Sequence, residues 1–314
     1  MPTTTAITAD SFPTPALAVR SSDPARRAKV AAFAEVQAQA AEQLRVLLDQ
    51  DLRDMAHPLV RIERLRVAYA QAHAWRYSLA LGGPDARGSG TVLEARRVLL
   101  SLERGGDNMD RLGYVGRHRE GAQWDPERQQ YVGGTPTPAH DVLAHYGRLA
   151  LARFDREGVT GDVLRTVVRA PSGAEIRGNK LIRGRTAARI TQVLADRLAA
   201  RGHDVSRMET GGDPIYAVTG STTSRGLCWT TGMAVLGAAE PGDAAAWRTA
   251  AYLLYQGIGY KRGTDAILRV FLVAAGAVLL GEAPVLPHDL DLRCMVLGQE
   301  QATEMDGDTA LLRG

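Results

Sequence analysis

The sequence predicts a mainly α protein, a multi-helix globular bundle with a few short strands in its C-terminal half, and three observations lead there. Hydrophobic residues make up 45% and charged residues 23% of 314 positions, globular proportions in a chain long enough to bury one large core or two ordinary ones. Aromatic residues reach only 5%, so the core must be filled with Ala, Leu and Val, and Ala and Leu favour helices. Finally, apolar residues recur at helical spacing through several segments, while 33 glycines and 14 prolines break the chain between them.

Residues 1–22 carry neither a basic leader nor an unbroken apolar run and read as a loosely ordered extension. Asp23-Pro24 then starts a helix: the carboxylate can accept first-turn amides, and the missing proline N–H costs little there. Val30, Phe33, Val36, Ala40 and Leu44 form its apolar stripe. His57-Pro58 interrupts it, because proline donates no interior hydrogen bond and disfavours helical geometry in the residue before it. A second helix runs through Ile62, Leu65, Tyr69 and Trp75 until the glycine-rich stretch 82–90, and Thr91 with Glu94 offers a capping box for a third. These helices make one unit, 23–104.

Residues 105–137 lack sustained periodicity and read as a surface loop or a linker. A helix follows over 138–158. Val163, Val167 and Val168 around a Pro-Ser-Gly turn suit two short strands, whereas Leu164 also suits a helix, so 162–178 stays ambiguous. Residues 186–200 return to helix, and 214–218 is the one strand candidate in the turn-rich stretch after it. Apolar segments at 227–239, 243–258 and 265–281 complete a C-terminal unit over 138–298, packed with the first. Asp243 is placed to cap the second of these. The third is apolar nearly all round, the pattern of a helix surrounded by others. Residues 299–314 form a polar tail.

Lys plus Arg total 38 against 35 Asp plus Glu, a formal charge of +3, and no long basic arm gathers the excess. That balance argues against nucleic acid, which needs clustered cations to neutralise phosphates. The most apolar run contains Arg269 and is shorter than the ~20 residues a bilayer requires, so a soluble, cytoplasmic protein with no membrane partner is expected. Cys228 and Cys294 are too few and too far apart for a disulfide framework or a zinc knuckle, and read as inert thiols.

Three polar segments can carry chemistry. In "EIRGNKLIRGRT", Arg177, Lys180, Arg183 and Arg185 surround Asn179, with Gly178 and Gly184 permitting close approach and a helix N-terminus following. Such donors suit a phosphate or carboxylate, and a solvated basic loop is the alternative. No Walker-type or dinucleotide glycine pattern accompanies them, so the cofactor stays unknown. In "METGGDPIYAVTGSTTSRG", Asp213 follows two glycines, and the hydroxyls from Ser221 to Ser224 lack nucleophile-elbow spacing and read as helix caps. In "GYKRGTDAILRV", Lys261 and Arg262 precede Gly263, and Thr264 or Asp265 can cap the next helix. Asp265 also stands four residues before Arg269, close enough to pair with it on one face and relieve a costly buried charge.

His288, Asp289 and Asp291 raise a divalent-ion site, but Asp289 as a helix cap accounts for that segment as simply, so no metal ligand is assigned. Asp107 and Asp110 raise the same question and read as an acidic surface loop. The residues thus predict an enzyme acting on a phosphate- or carboxylate-bearing organic molecule in a polar inter-helical pocket, with the reaction open. Arg177, Asn179, Lys180, Arg183, Lys261 and Arg262 would hold the anion, and Asp213 or Asp265 would orient the reacting group. The competing reading is a non-enzymatic helical binding or assembly protein using exposed apolar helix faces, which would also permit a homo-oligomer. Convergence of the polar segments around one cavity favours the enzyme; their separation on flat surfaces favours the alternative.

Overall fold

The computed structural model describes residues 2–53, 57–82, 96 and 98–305. Its principal helices are α1 (Pro24–Ala31), α2 (Phe33–Arg53), α3 (Pro58–Leu81), α4 (Pro138–Arg156), α5 (Gly184–Ala199), α6 (Thr222–Ala238), α7 (Ala244–Gln256), α8 (Thr264–Leu280), α9 (Leu290–Val296) and α10 (Gln299–Glu304). Local chemistry sets several of their starts. The Ala25 amide donates to Asp23 Oδ1 at 2.9 Å, Leu59 to His57 Nδ1 at 3.3 Å, Ser224 to Ser221 Oγ at 3.2 Å and Ala246 to Asp243 Oδ1 at 2.9 Å. The capping box expected at Thr91 and Glu94 lies outside the described residues.

The strands are β1 (Thr3–Thr4), β2 (Met109–Leu112), β3 (Arg119–Glu120), β4 (Gln123–Asp125), β5 (Gln130–Val132), β6 (Thr135–Pro136), β7 (Val163–Arg169), β8 (Glu175–Ile182), β9 (Ile215–Val218) and β10 (Ala283–Pro284). The segment left ambiguous by its residues is the hairpin β7–β8. Leu164, Thr166 and Val168 are buried while Arg165, Val167 and Arg169 are exposed, the period of two that defines a half-buried strand. β9 joins β8, and β2 pairs antiparallel with β9, giving a four-stranded sheet in the order β2-β9-β8-β7. The protein is therefore mainly α with a four-stranded sheet, more extensive than the few short strands expected.

That sheet also gives the aperiodic interval 105–137 a structural place, because its β2 forms the edge next to β9. Two further ladders, β3 with β6 and β4 with β5, complete the interval. At the N-terminus, the stretch expected to be loose is tied down: β1 pairs with β10, and Phe12 is buried in the main core. That core joins α2, α3 and α6 to α8, with Leu48, Leu65, Met233, Leu254 and Phe271 among its members. Trp247 is fully buried within it and satisfies its indole by donating to the Leu272 carbonyl at 3.0 Å.

A second core packs α4 and α9 on one face of the sheet through Tyr146, Phe154, Leu181, Ala217 and Val296. On the other face, Ile182, Tyr216 and Val218 meet Ala187, Ile190 and Leu194 of α5. β9 is thus buried on both sides, which is why its sequence is apolar without alternation. No helix among the described residues is long and apolar enough to cross a membrane.

Candidate functional site

The turn into α8 is made by Gly263, whose φ of 77° is left-handed and open to glycine without penalty. Gly263 occupies the cap position itself, so neither Thr264 nor Asp265 caps the helix as their types suggested. The Thr264 hydroxyl donates to the Tyr260 carbonyl at 3.2 Å. The Asp265 carboxylate instead accepts the Tyr255 hydroxyl at 2.7 Å, and Arg269 Nε donates to both of its oxygens at 3.0 Å. The i,i+4 pair expected from the sequence is therefore present, and it anchors an Arg269 side chain that is wholly buried.

Asp265 lines a cavity of about 400 Å³ enclosed by β2 and β9, the end of α7, the start of α8, and α9. Its surface divides by charge. Arg20, Arg117, Lys261 and Arg262 supply cations, and Asp110, Asp265 and Asp291 supply carboxylates. Lys261 Nζ donates to the Asp107 carbonyl at 2.8 Å and Asn108 Nδ2 to the Tyr260 carbonyl at 3.3 Å, fastening the start of β2 to the turn. Glu209 is buried below the rim, where it accepts the Gly116 amide at 2.7 Å and lies 3.8 Å from the Arg117 guanidinium. Arg117 is thus held at the opening by a carboxylate that is itself fixed.

These surroundings move proton affinities in opposite directions. Burial pushes the Asp291 carboxyl up to about 7, assisted by repulsion from Asp265 and opposed by Arg269. Asp291 Oδ1 has no hydrogen-bond partner among the described residues. Asp110 is exposed at the cavity, and desolvation raises its pKa against the pull of Arg262 and Lys261. His118, also on the lining, is pushed down to about 4 by burial, Arg20, Arg117 and His140, so it is neutral at pH 7. Burial and then repulsion from Arg117 and Arg262 lower the pKa of Arg20, which marks these three guanidinium groups as neighbours.

Of the residues singled out in the sequence, Lys261, Arg262 and Asp265 meet at this cavity, and Arg177, Asn179, Lys180, Arg183 and Asp213 lie outside its lining. The segment carrying Arg177, Asn179 and Lys180 is strand β8 and not a loop, and a register irregularity opposite Arg165 and Val167 leaves Arg177 and Lys180 on its exposed face while Asn179 is turned inward. Arg177 is exposed and Lys180 half-buried. Asn179 is buried, donates its backbone amide to Gln256 Oε1 at 2.9 Å and its side-chain amide to the Met295 carbonyl. Arg183 stacks over Phe154, 4.2 Å from the ring centroid, and donates to the Val159 carbonyl at 3.0 Å. Asp213 is exposed at the turn before β9.

The group considered for a divalent ion is split. Asp289 accepts the Tyr146 hydroxyl at 2.7 Å and lies 3.5 Å from Arg293, whereas Asp291 faces the cavity. Among the described residues no three His, Cys, Asp or Glu side chains are arranged to hold a metal. Both thiols are buried and their pKa values raised by desolvation, Cys228 to about 12, which leaves them unreactive at neutral pH. Asp110, Arg117, His118 and Arg20 stand in no local motif that would single them out. Two of the carboxylates were visible only as members of acidic clusters, and their meeting depends on β2 pairing with a strand about a hundred residues away. No family model matches the chain, and no curated protein matches it in sequence.

Proposed function

We propose that the protein is an enzyme carrying out acid–base chemistry on a phosphate- or carboxylate-bearing organic molecule held in this cavity. The observation that carries the reading is the pair Asp265 and Asp291 on one lining: Asp265 is bound by Arg269 and Tyr255, while Asp291 keeps an unpartnered oxygen and a proton affinity near neutrality. Neighbouring carboxylates in such unequal surroundings suit separate roles. Asp291 gives and takes the proton, and Asp265 orients the reacting group. Arg20, Arg117, Lys261 and Arg262 neutralise the anion.

The cavity is of the size that admits a small organic metabolite, whose typical sites span ~300–1,000 Å³. A cytoplasmic setting belongs to the same proposal, since Cys228 and Cys294 are both free thiols. The test is a turnover screen of phosphate- and carboxylate-bearing compounds with wild type, D291N and R262A. Turnover by wild type that is lost in D291N, with KM raised in R262A, supports the reading; equal turnover by all three removes it. The competing assembly reading draws on Leu59, Val60 and Val67 of α3, which are 69%, 40% and 46% exposed. Sedimentation of wild type beside L59E/V67E decides it, because only an interface on α3 makes the two differ in mass.

A further inference from the structure

β7 is an edge strand of the four-stranded sheet, and among the described residues no strand pairs with its outer side. Gln299 shows which way its backbone points. The Arg169 N–H donates to Gln299 Oε1 at 2.8 Å, and Gln299 Nε2 donates to the Arg169 carbonyl at 3.0 Å, so a side-chain amide stands where a neighbouring strand would. Strand geometry repeats every two residues, and the N–H and C=O groups of Arg165 and Val167 therefore face outward as well. Neither residue makes a backbone hydrogen bond beyond the β7–β8 ladder among the described residues. Both border a groove of about 690 Å³ that runs between β7, the end of α4 and residues 298–303.

The charge along this edge is one-sided. On the exposed face, Arg165 stands across the ladder from Lys180, and Val167 from Arg177. Like charges directly opposite one another destabilise a sheet, and Arg165, Lys180 and Arg177 have neither a hydrogen bond nor an ion pair among the described residues to offset that cost. Arg156, on the α4 side of the groove, is equally free. Of the nearby carboxylates, Glu175 lies 3.6 Å from Arg169 and Glu157 2.7 Å from Arg153, so both are engaged, and Glu300 is exposed on the 298–303 wall. Cations on a free edge keep a second copy of the same strand from pairing there. The same cations attract a strand of opposite charge, and the outward amides and carbonyls offer it a backbone ladder. A phosphodiester chain could accept from those amides but has no donors spaced to meet the carbonyls.

We infer that the outer edge of β7 binds an acidic protein segment in extended form, added to the sheet as a further strand, with its carboxylates facing Arg165 and Arg156 in the field of Arg177 and Lys180. This surface is separate from the acid–base cavity and independent of the reading given to it. Fluorescence anisotropy of labelled acetyl-ETEVEVET-amide, titrated with the full chain, measures the binding. The comparison probes are acetyl-KTKVKVKT-amide, the acidic peptide methylated on its backbone nitrogens, and octathymidylate. The acidic peptide binds saturably, and the lysine and N-methylated peptides bind roughly tenfold more weakly or worse. R165E/R177E, at two exposed positions, weakens the acidic peptide roughly tenfold, with circular dichroism as the check on folding. Tighter binding of octathymidylate than of the acidic peptide gives the face to nucleic acid and overturns the inference. Equal affinity for the N-methylated or lysine peptide, unchanged affinity in R165E/R177E, or no saturable binding up to about 1 mM protein each does the same.

Discussion

Replacing Asp291 with Asn preserves the shape of the protonated acid and removes its titration. The folded group takes its proton near 7 because burial and Asp265 oppose its charge, whereas an aspartate in the unfolded chain ionises near 3.9, about three decades lower. The folded value is the higher one, so the stability linked to this group is fully present below about pH 4 and is lost as pH rises through about 7. The whole span is worth on the order of 4 kcal/mol, and more than half of it falls between about pH 5 and about pH 8. Urea unfolding of wild type and D291N at those two pH values measures it. Stability of D291N relative to wild type should increase by about half the span or more from the lower pH to the higher, since titrating groups not coupled to Asp291 cancel in the double difference. Parallel pH dependence of the two proteins would show that Asp291 is ionised throughout, and the acid–base assignment would go with it.

Two further perturbations bear on the same corner of the fold. R269M strips Asp265 of its guanidinium partner and should cost roughly 3 kcal/mol in denaturant unfolding, while the double variant D265N/R269M regains part of that loss; an R269M protein as stable as wild type would mean the buried pair is idle. G263A places a Cβ at φ 77°, 3.1 Å from Arg76 Cγ, and should lose about 1–2 kcal/mol by the same assay, with an unchanged midpoint contradicting the left-handed turn.

Much of the helical framework is legible locally because its signals act over a few residues. Asp23, His57, Ser221 and Asp243 cap the helices that follow them, and each does so through an atom within three positions of its target. The alternation through β7 was also present to be read, although its valines and Leu164 support more than one structure in isolation. The sheet was harder. β9 is apolar on both faces, so it shows no period, and β2 gains meaning only from its distant partner Ile215–Val218. The candidate site divides along the same line. Lys261, Arg262 and Asp265 share one turn and could be grouped from sequence, whereas Asp110 and Arg117 sit in the aperiodic interval and reach the cavity through β2 and the short helical turn after it. Arg177 and Lys180 share the exposed face of β8 through a register irregularity opposite Arg165 and Val167, which no local spacing rule reveals, and they lie outside the cavity lining.

The buried amides of Asn179 and Gln256 hold one wall of the acid–base cavity in place. Gln256 accepts the Asn179 amide through Oε1 and donates through Nε2 to the Cys294 carbonyl at 2.7 Å, while Asn179 reaches the Met295 carbonyl. β8, the end of α7 and α9 are thereby clasped by groups that do not line the cavity. Tyr255 and Asp291 ride on that clasp. The opposite wall is tied as well, by the β2–β9 ladder and by Lys261 to the Asp107 carbonyl. The residues proposed to move the proton are thus positioned before any ligand arrives, by amide groups that no ligand touches.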